Sequence, residues 1–568
     1  MTAAAAQDKL PRARSEADLL PGPYLQSRHD APATLARLRA WLADGDRYDL
    51  AVAALLAVLV ALAFATFHSY AVSSDEQMQQ RYGELIVSYY ASGFADQQLF
   101  HYVNLYLYGG LFDILAVLVE RALPIFDPYS VRHLLSALTG IAGIAAAGAT
   151  ARLVAGPRAG AIAAFALAVC GPWYGSMFIH TKDIPFAAAM MGATYFLTRA
   201  ARELPRPHRR HVIGFGLLLG AALGIRVLGL LLVGYATLAI LMRMPQPHAG
   251  PMRDRLSFLA QSVRALTPAF LIGYVIMLAA WPWSALAPLN PVRGLIDFGE
   301  FHYHLQTWLE GRVYDMGDVP RWTVPAYLVI KLPLIMLVGA AIALLCIFWR
   351  GRTASPAPDR RSETALLAFI AGFPVLCEVI DRGPAFSGVR HFLFVVPFFA
   401  VLAGIGFDWL LWQCQARQRW LTGSVAAAIV ALLLWNASLL VRLHPYQVLY
   451  TYPLVGGLQG AAGRTPADTW VNIVPEAVDD LAAFVGQLEQ SGEHARHYSV
   501  AVCGERLPFE KEANSRLQWT EDWKTADFFI APTHMNCDRV LDGTVIATVA
   551  RLGVRIGVVK DRRALLQR

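Results

Sequence analysis

Residues 50–70 read LAVAALLAVLVALAFATFHSY, without one Asp, Glu, Lys or Arg, and almost at once residues 73–84 read SSDEQMQQRYGE. A bilayer core takes roughly 20 mostly apolar residues per helix, so the first stretch reads as a membrane span and the second as the chain leaving it. Composition agrees: the 568 residues are 56% hydrophobic and 16% charged, a balance foreign to a water-soluble globule of this size. The formal net charge of +7 would suggest nucleic acid in a soluble protein. Here the arginines sit in short loops between apolar runs, which is a topology signal rather than a phosphate-binding groove.

Further apolar stretches at 131–154, 159–178, 184–200, 211–224, 226–242, 264–283, 325–349, 364–380, 391–412 and 420–441 bring the expected number of transmembrane helices to about 11. Between 211 and 242 two short helices are expected to meet at Gly224-Ile225-Arg226, because one straight helix would strand Arg226 in lipid. The basic loops 152–158, 199–210, 243–255, 349–361 and 416–419 all fall on one side, together with Arg37, Arg39 and Arg47. Positive-inside bias then places the N-terminus in the cytoplasm and the C-terminus outside. This count requires 102–123 not to cross, and its Gly109-Gly110 pair, Asp113 and tyrosines suit a helix lying in the interface. No short apolar segment with a cleavage site opens the chain, so the first span is expected to be an uncleaved anchor.

The expected organisation is a cytoplasmic segment 1–48, a membrane domain 49–460 with outer loops 71–130 and 284–324, and an outer domain 461–568. After about residue 470 an amphipathic segment (475–488), short apolar runs (498–503, 527–532, 554–559) and a helical run near 541–551 indicate a small α/β unit. Of six cysteines, Cys170, Cys346, Cys377 and Cys414 fall in or beside apolar sequence and read as small buried hydrophobes. Cys503 and Cys537 lie in polar sequence, where an oxidising compartment would permit a disulfide.

SSDEQMQQRYGE has two compatible readings. Ser73-x-x-Glu76 and Ser74-x-x-Gln77 both match a capping box, and acidic residues suit a first helical turn. On the same helix Asp75, Gln79 and Tyr82 form one stripe, while Gln77 and Arg81 pair on another face. An Asp-Glu pair in the first outer loop, followed by an Arg/Tyr-bearing interfacial helix, resembles the GT-C glycosyltransferases that use polyprenyl-phosphate sugars. The protein O-mannosyltransferase and lipid A aminoarabinose transferase families are the nearest in kind. The stretches NLYLYGGLFD (104–113), HTKDIPFA (180–187), LGIRVLGL (223–230), SGVRHFLFVVPF (387–398) and HPYQVLYTYPLVGG (444–457) extend the resemblance over roughly residues 50–460. It lapses at Thr451-Tyr452-Pro453, where the family would have Asn after an aromatic pair, so that segment carries no catalytic role.

The resemblance implies Asp75 as the base of an inverting transfer to an acceptor hydroxyl, with Glu76 orienting the acceptor or tuning Asp75. Such a reaction also requires cations for the departing phosphate. Lys182 is the first candidate and Arg81 the second, followed by Arg390, His391 and Lys331 at outer span ends. Asp183 or Asp381 would be the ordinary ion-pair partners of these cations, and Lys182 and Lys331 could equally snorkel to the interface. Tyr82, His180, Asp183, Asp96 and Arg226 complete the candidate pocket. No metal-ligand spacing stands out, and the two families named are metal-independent, although Asp75, Glu76 and Asp96 could gather around a divalent cation. His302 and His304 lie in an aromatic loop with Trp308 and Trp322 that suits a membrane-interface belt. No phosphate loop, nucleophile elbow or nucleotide fingerprint is present, as expected for a lipid-linked donor. The implied partners are a polyprenyl-phosphate sugar, a glycan, lipid or protein acceptor, and the bacterial plasma membrane. Two rival classes remain: a transporter or flippase for lipid-linked precursors, and a catalytically silent relative that binds lipid-linked sugar.

Overall fold

A computed structural model describes residues 46–246, 251–287, 289–300, 306–315, 318–349, 358–381, 388–464, 472–491, 494 and 496–566. Arg37, Arg39, His302 and His304 lie outside these residues.

Six described helices are long and apolar enough to cross a membrane: Arg47–Ser69, Pro128–Ala155, Met252–Ala280, Asp359–Ile380, Arg390–Arg417 and Arg419–Leu443. Two bent pairs, Pro157–Ala168 with Gly171–Ile179 and Thr323–Lys331 with Leu334–Phe348, raise the number to eight. The other three of the eleven expected stretches are also helical, as Asp183–Arg202, Arg209–Leu223 and, behind a short 3₁₀ turn, Leu231–Arg243, but they do not meet the same length and apolarity. The break anticipated at Gly224-Ile225-Arg226 is present, with Arg226 extended between two helices. Pro333 breaks the second bent pair, where a helix interior would lack its N–H.

The axis of the bundle is Val396–Arg417, buried along most of its length against Leu334–Phe348, Pro157–Ala168 and Pro128–Ala155. Close approach is built on glycine: a methyl at Gly404 or Gly406 would collide with the backbone carbonyls of Ala159 or Gly339. In contrast, Arg47–Thr66 and Arg419–Leu443 bury few residues and present apolar flanks outward, as lipid-facing helices do. Cys170 and Cys346 are buried as expected, but Cys377 is exposed and Cys414 half-buried, because both lie on outward helix faces. The segment 102–123 contains a 3₁₀ turn and the short helix Leu111–Ala122, whose Asp113 and Glu120 point inward.

Gln306–Leu309 (β1) and Arg312–Asp315 (β2) form a hairpin turning at Glu310-Gly311, both with positive φ, as a type I′ turn demands. The C-terminal unit is a five-stranded mixed sheet of Tyr498–Val502 (β3), Leu517–Trp519 (β4), Phe528–Pro532 (β5), Thr544–Arg551 (β6) and Val554–Asp561 (β7), ordered β4-β3-β5-β7-β6. β3 pairs in parallel with β4 and β5, while β7 is antiparallel to β5 and β6. The helix Val474–Gln490 covers one face. The helical run expected near 541–551 is instead β6. TVIATVAR is rich in β-branched residues, and the positive-φ pair Leu552-Gly553 turns it straight into β7.

Cys503 and Cys537 form a disulfide that ties the end of β3 to the turn after β5, across a separation of 34 residues. A loop of that length removes about 3–4 kcal/mol of unfolded-chain entropy at 25 °C. Reduction, or replacement of both cysteines by Ser, is expected to lower the thermal midpoint of the C-terminal unit and expose it to protease, while the membrane helices stay resistant; limited proteolysis with and without reductant measures this.

Candidate functional site

Ser73 caps the helix Ser74–Ala91, and its backbone N–H donates to Glu76 Oε2 at 2.7 Å. Glu76 is fully buried, and His133 Nε2 lies 3.1 Å from the same oxygen. The capping reading therefore holds for Glu76, whose carboxylate lies between the Ser73 N–H and the His133 ring. Adjacent helical residues diverge by about 100°, so Asp75 points elsewhere.

Asp75 meets Arg390, which is paired on its other side with Asp183, Arg390 Nε donating to Asp183 Oδ2 at 2.8 Å. Asp183 in turn binds Arg226. The result is a chain, Asp75–Arg390–Asp183–Arg226, drawn from four separate segments. Each member stands at a structural end: the first turn of Ser74–Ala91, the first residue of Asp183–Arg202, the start of Arg390–Val395, and the break between two helices. Asp183 thus serves the two arginines, and Arg390 serves the two aspartates.

Lys182 stands beside this chain with its ammonium 3.8 Å from the centre of the Tyr108 ring, and Arg226 lies 5.9 Å from the same ring. Tyr82 donates its hydroxyl to the Tyr108 carbonyl at 3.0 Å and so holds the residue on which both cations rest. Among the described residues Lys182 makes no ion pair within 4.0 Å, and Arg226 Nε is a buried donor without a partner. Two carboxylates against three cations leave one positive charge over, in a setting where water screens little.

Burial acts to raise the Asp75 carboxyl, but Arg390 and Lys182 outweigh it and hold Asp75 below the usual carboxylate range. Burial, and then the Arg226 cation, lower the Lys182 ammonium to about 8, with Asp75 and Asp183 opposing.

Beneath the chain lies a second buried network. Arg132 is paired with Asp113 and reaches toward Gln79, Gln80 and Thr181; Thr181 donates to Gln79 Oε1 at 2.8 Å. Gln80 donates to Glu120 at 2.7 Å. The stripe Asp75, Gln79, Tyr82 expected from helix spacing therefore faces inward, and Gln79 and Thr181 connect it to the residue before Lys182.

Other candidates fall at varying distance from this centre. His180 and His391 are near enough to Asp183 to interact with its charge. Arg81 is half exposed and pairs with Glu84. Asp96 accepts from Ser88 at 2.7 Å just past the helix Ser74–Ala91, and it is not gathered with Asp75 and Glu76 around a common cation position. Lys331 is buried and donates to the Val448 carbonyl at 3.2 Å. A cavity of about 250 Å³ is bounded by His133, which contacts Glu76, by His68, Tyr70 and Tyr129 and, from the C-terminal unit, by Lys511 and Glu512. Sequence reasoning passed over Arg132, His133, Tyr108, Thr181 and Gln80. Arg132-His133 did carry a signal: an arginine at the outer end of a span, against the inward bias of the other basic residues.

Arg132 is fully buried against Asp113. Removing one partner of such a pair costs about 3–5 kcal/mol, because a charge is left buried without compensation. Arg132→Met should destabilise the protein by that order, and the double change with Asp113→Leu should recover much of it; thermal unfolding in one detergent checks both.

Residues 127–281 match the model of the family described as dolichyl-phosphate-mannose-protein mannosyltransferase. No curated protein matches the chain in sequence. Among solved structures, ArnT from Cupriavidus metallidurans in the apo state is 15% identical, with 90% of this chain and 99% of that chain covered and a TM-score of 0.44. The same protein bound to undecaprenyl phosphate is 16% identical, covering 89% and 98%, with a TM-score of 0.43. The Archaeoglobus fulgidus oligosaccharyltransferase is 12% identical, covering 81% and 62%, with a TM-score of 0.46. The matched family segment carries Arg132, His180, Thr181, Lys182, Asp183 and Arg226, so over the part that builds most of this cluster the chain is similar to the dolichyl-phosphate-mannose-protein mannosyltransferases, in keeping with its resemblance to GT-C enzymes.

Proposed function

We propose that the protein is a membrane glycosyltransferase that moves a sugar from a polyprenyl-phosphate donor to an acceptor hydroxyl on the extracytoplasmic face of a bacterial plasma membrane, with its N-terminus cytoplasmic. The observation that carries this reading is the cationic excess at Lys182, Arg226 and Arg390 beside an ionised Asp75, within and next to the segment that matches the mannosyltransferase family.

In the proposed reaction the acceptor oxygen bonds to the anomeric carbon as the bond from that carbon to the phosphate oxygen breaks. The electron pair leaves on the phosphate, which gains one negative charge, and the acceptor proton passes to Asp75. Lys182 and the unpartnered Nε–H of Arg226 are suited to take up the new charge, and Arg390 keeps Asp75 ionised and oriented. A carboxylate held below its usual range is a weak base. The proton would therefore transfer late, once bond formation has made the acceptor oxygen acidic. The proposed inversion follows from a single displacement with no covalent sugar on the enzyme. The cavity bounded by His133 and the C-terminal unit is a candidate space for the acceptor.

A transporter would be expected to place its ionisable residues near the bilayer midplane and to show repeated halves. The clustered charges here stand at helix ends, which favours chemistry at a surface.

In a deletion strain, mass spectrometry of lipid-linked sugars and envelope glycans should reveal one accumulated donor and one unmodified acceptor. With that donor and purified protein, Asp75→Asn should abolish transfer and retain donor binding; undiminished transfer would sink the assignment of the base. The pH profile provides a separate check. As pH rises through about 8, Lys182 loses its proton and its charge, so kcat/KM should fall on the alkaline side. Lys182→Arg stays charged and should move that limb upward by more than one pH unit. Asp75, already ionised, should add no acid limb between about pH 5 and 8.

A further inference from the structure

A second group of chemistry-bearing side chains lies at the far end of the helix that Asp183 begins. Asp183–Arg202 has 20 residues, so its other end is about 30 Å from the ion-pair chain. There the turn RELPRPHRRH, residues 202–211, leads into Arg209–Leu223. Glu203, just past the last helical residue, turns its carboxylate toward two imidazoles: His208 Nδ1 is 2.9 Å from Oε1, and His211 Nδ1 is 2.9 Å from Oε2. The backbone N–H of His208 also donates to Oε2 at 2.8 Å and fixes the carboxylate in the turn.

One potential donor atom from each of the three residues lies within 4.8 Å of the others. A tetrahedral zinc ion with bonds of about 2.0–2.1 Å needs neighbouring donors about 3.3 Å apart, so side-chain rotations on the order of 1 Å would close the set. His211 is buried, with 6% of its side chain exposed, whereas His208 is 66% exposed. One ligand is thus anchored in the helix packing, and the other stands at the surface where an ion enters. Charge narrows the choice of metal. Arg202, Arg206, Arg209 and Arg210 are all exposed in the same turn, and Glu203 is its single carboxylate. A hard cation such as calcium or magnesium, held by several oxygens, has neither the ligands nor the field it requires. An ion that bonds imidazole nitrogen directly is suited to such a place.

We propose that Glu203, His208 and His211 form a binding site for a divalent transition metal of zinc's class, clamping the end of Asp183–Arg202 to the start of Arg209–Leu223 and leaving a fourth position for water or an external ligand. The site is independent of whether the chain transfers sugar. Full-length protein without a polyhistidine tag, stripped with chelator in detergent, is titrated with Zn²⁺ by calorimetry and with Co²⁺ by visible absorption. One Zn²⁺ per chain is expected, together with Co²⁺ bands of a four-coordinate site. His208→Asn and Glu203→Gln should each weaken Zn²⁺ at least tenfold. His208 is exposed, so its variant tests the site without endangering the fold; His211→Gln, monitored by thermal unfolding, tests the buried ligand. Absence of stoichiometric zinc, or affinity unchanged in His208→Asn and Glu203→Gln, would overturn the site.

Discussion

The structure depends most on the alternation of charge along Asp75–Arg390–Asp183–Arg226. Buried ions are costly to desolvate, and a lone member of this set would be more costly than useful. Linked in series, each inner member answers two neighbours: Arg390 serves both aspartates and Asp183 both arginines. The cost of burial is thereby offset where four segments converge, and the same pairing fixes the first outer helix against three helix ends. Among the described residues the three cations outnumber the two carboxylates by one, with Lys182 resting on the face of Tyr108.

The network beneath acts as a floor. Arg132, Asp113, Gln79 and Thr181 exchange hydrogen bonds within the bundle, so the residue preceding Lys182 is set by contacts that have nothing to do with a donor. Tyr82 does the same for Tyr108. Lys182 and Tyr108 are thus positioned by hydrogen bonds internal to the bundle.

Much of this was legible residue by residue, but little of it pair by pair. Apolar run length disclosed the membrane helices, and the cost of leaving Arg226 in lipid disclosed the break at Gly224-Ile225-Arg226, because both are local properties. Asp75, Lys182, Asp183, Arg226 and Arg390 each stood out as polar groups at the end of an apolar run. Their connections did not, since Asp75 and Arg390 are 315 residues apart and spacing gives no register over such a distance. Asp75 and Glu76 were told apart in role but not in surroundings: the Ser73 N–H and His133 hold Glu76 as the cap, while Asp75 meets Arg390. The segment Thr544–Arg551 was misread as helical for a different reason. Its alanines favour a helix, but a β-branched majority and the Leu552-Gly553 turn carry it into the sheet.

Asn472 donates through its side chain to the carbonyl of Val72, and Lys511 binds Asp127 at 2.6 Å. Val72 is three residues before Asp75. The C-terminal unit therefore grips the membrane domain at the backbone from which the Asp75 helix departs, and also at the residue that caps Pro128–Ala155. The sheet and the Asp75 helix are thereby joined through one backbone carbonyl, and trimming the chain before residue 472 would remove a hydrogen bond made three residues from Asp75.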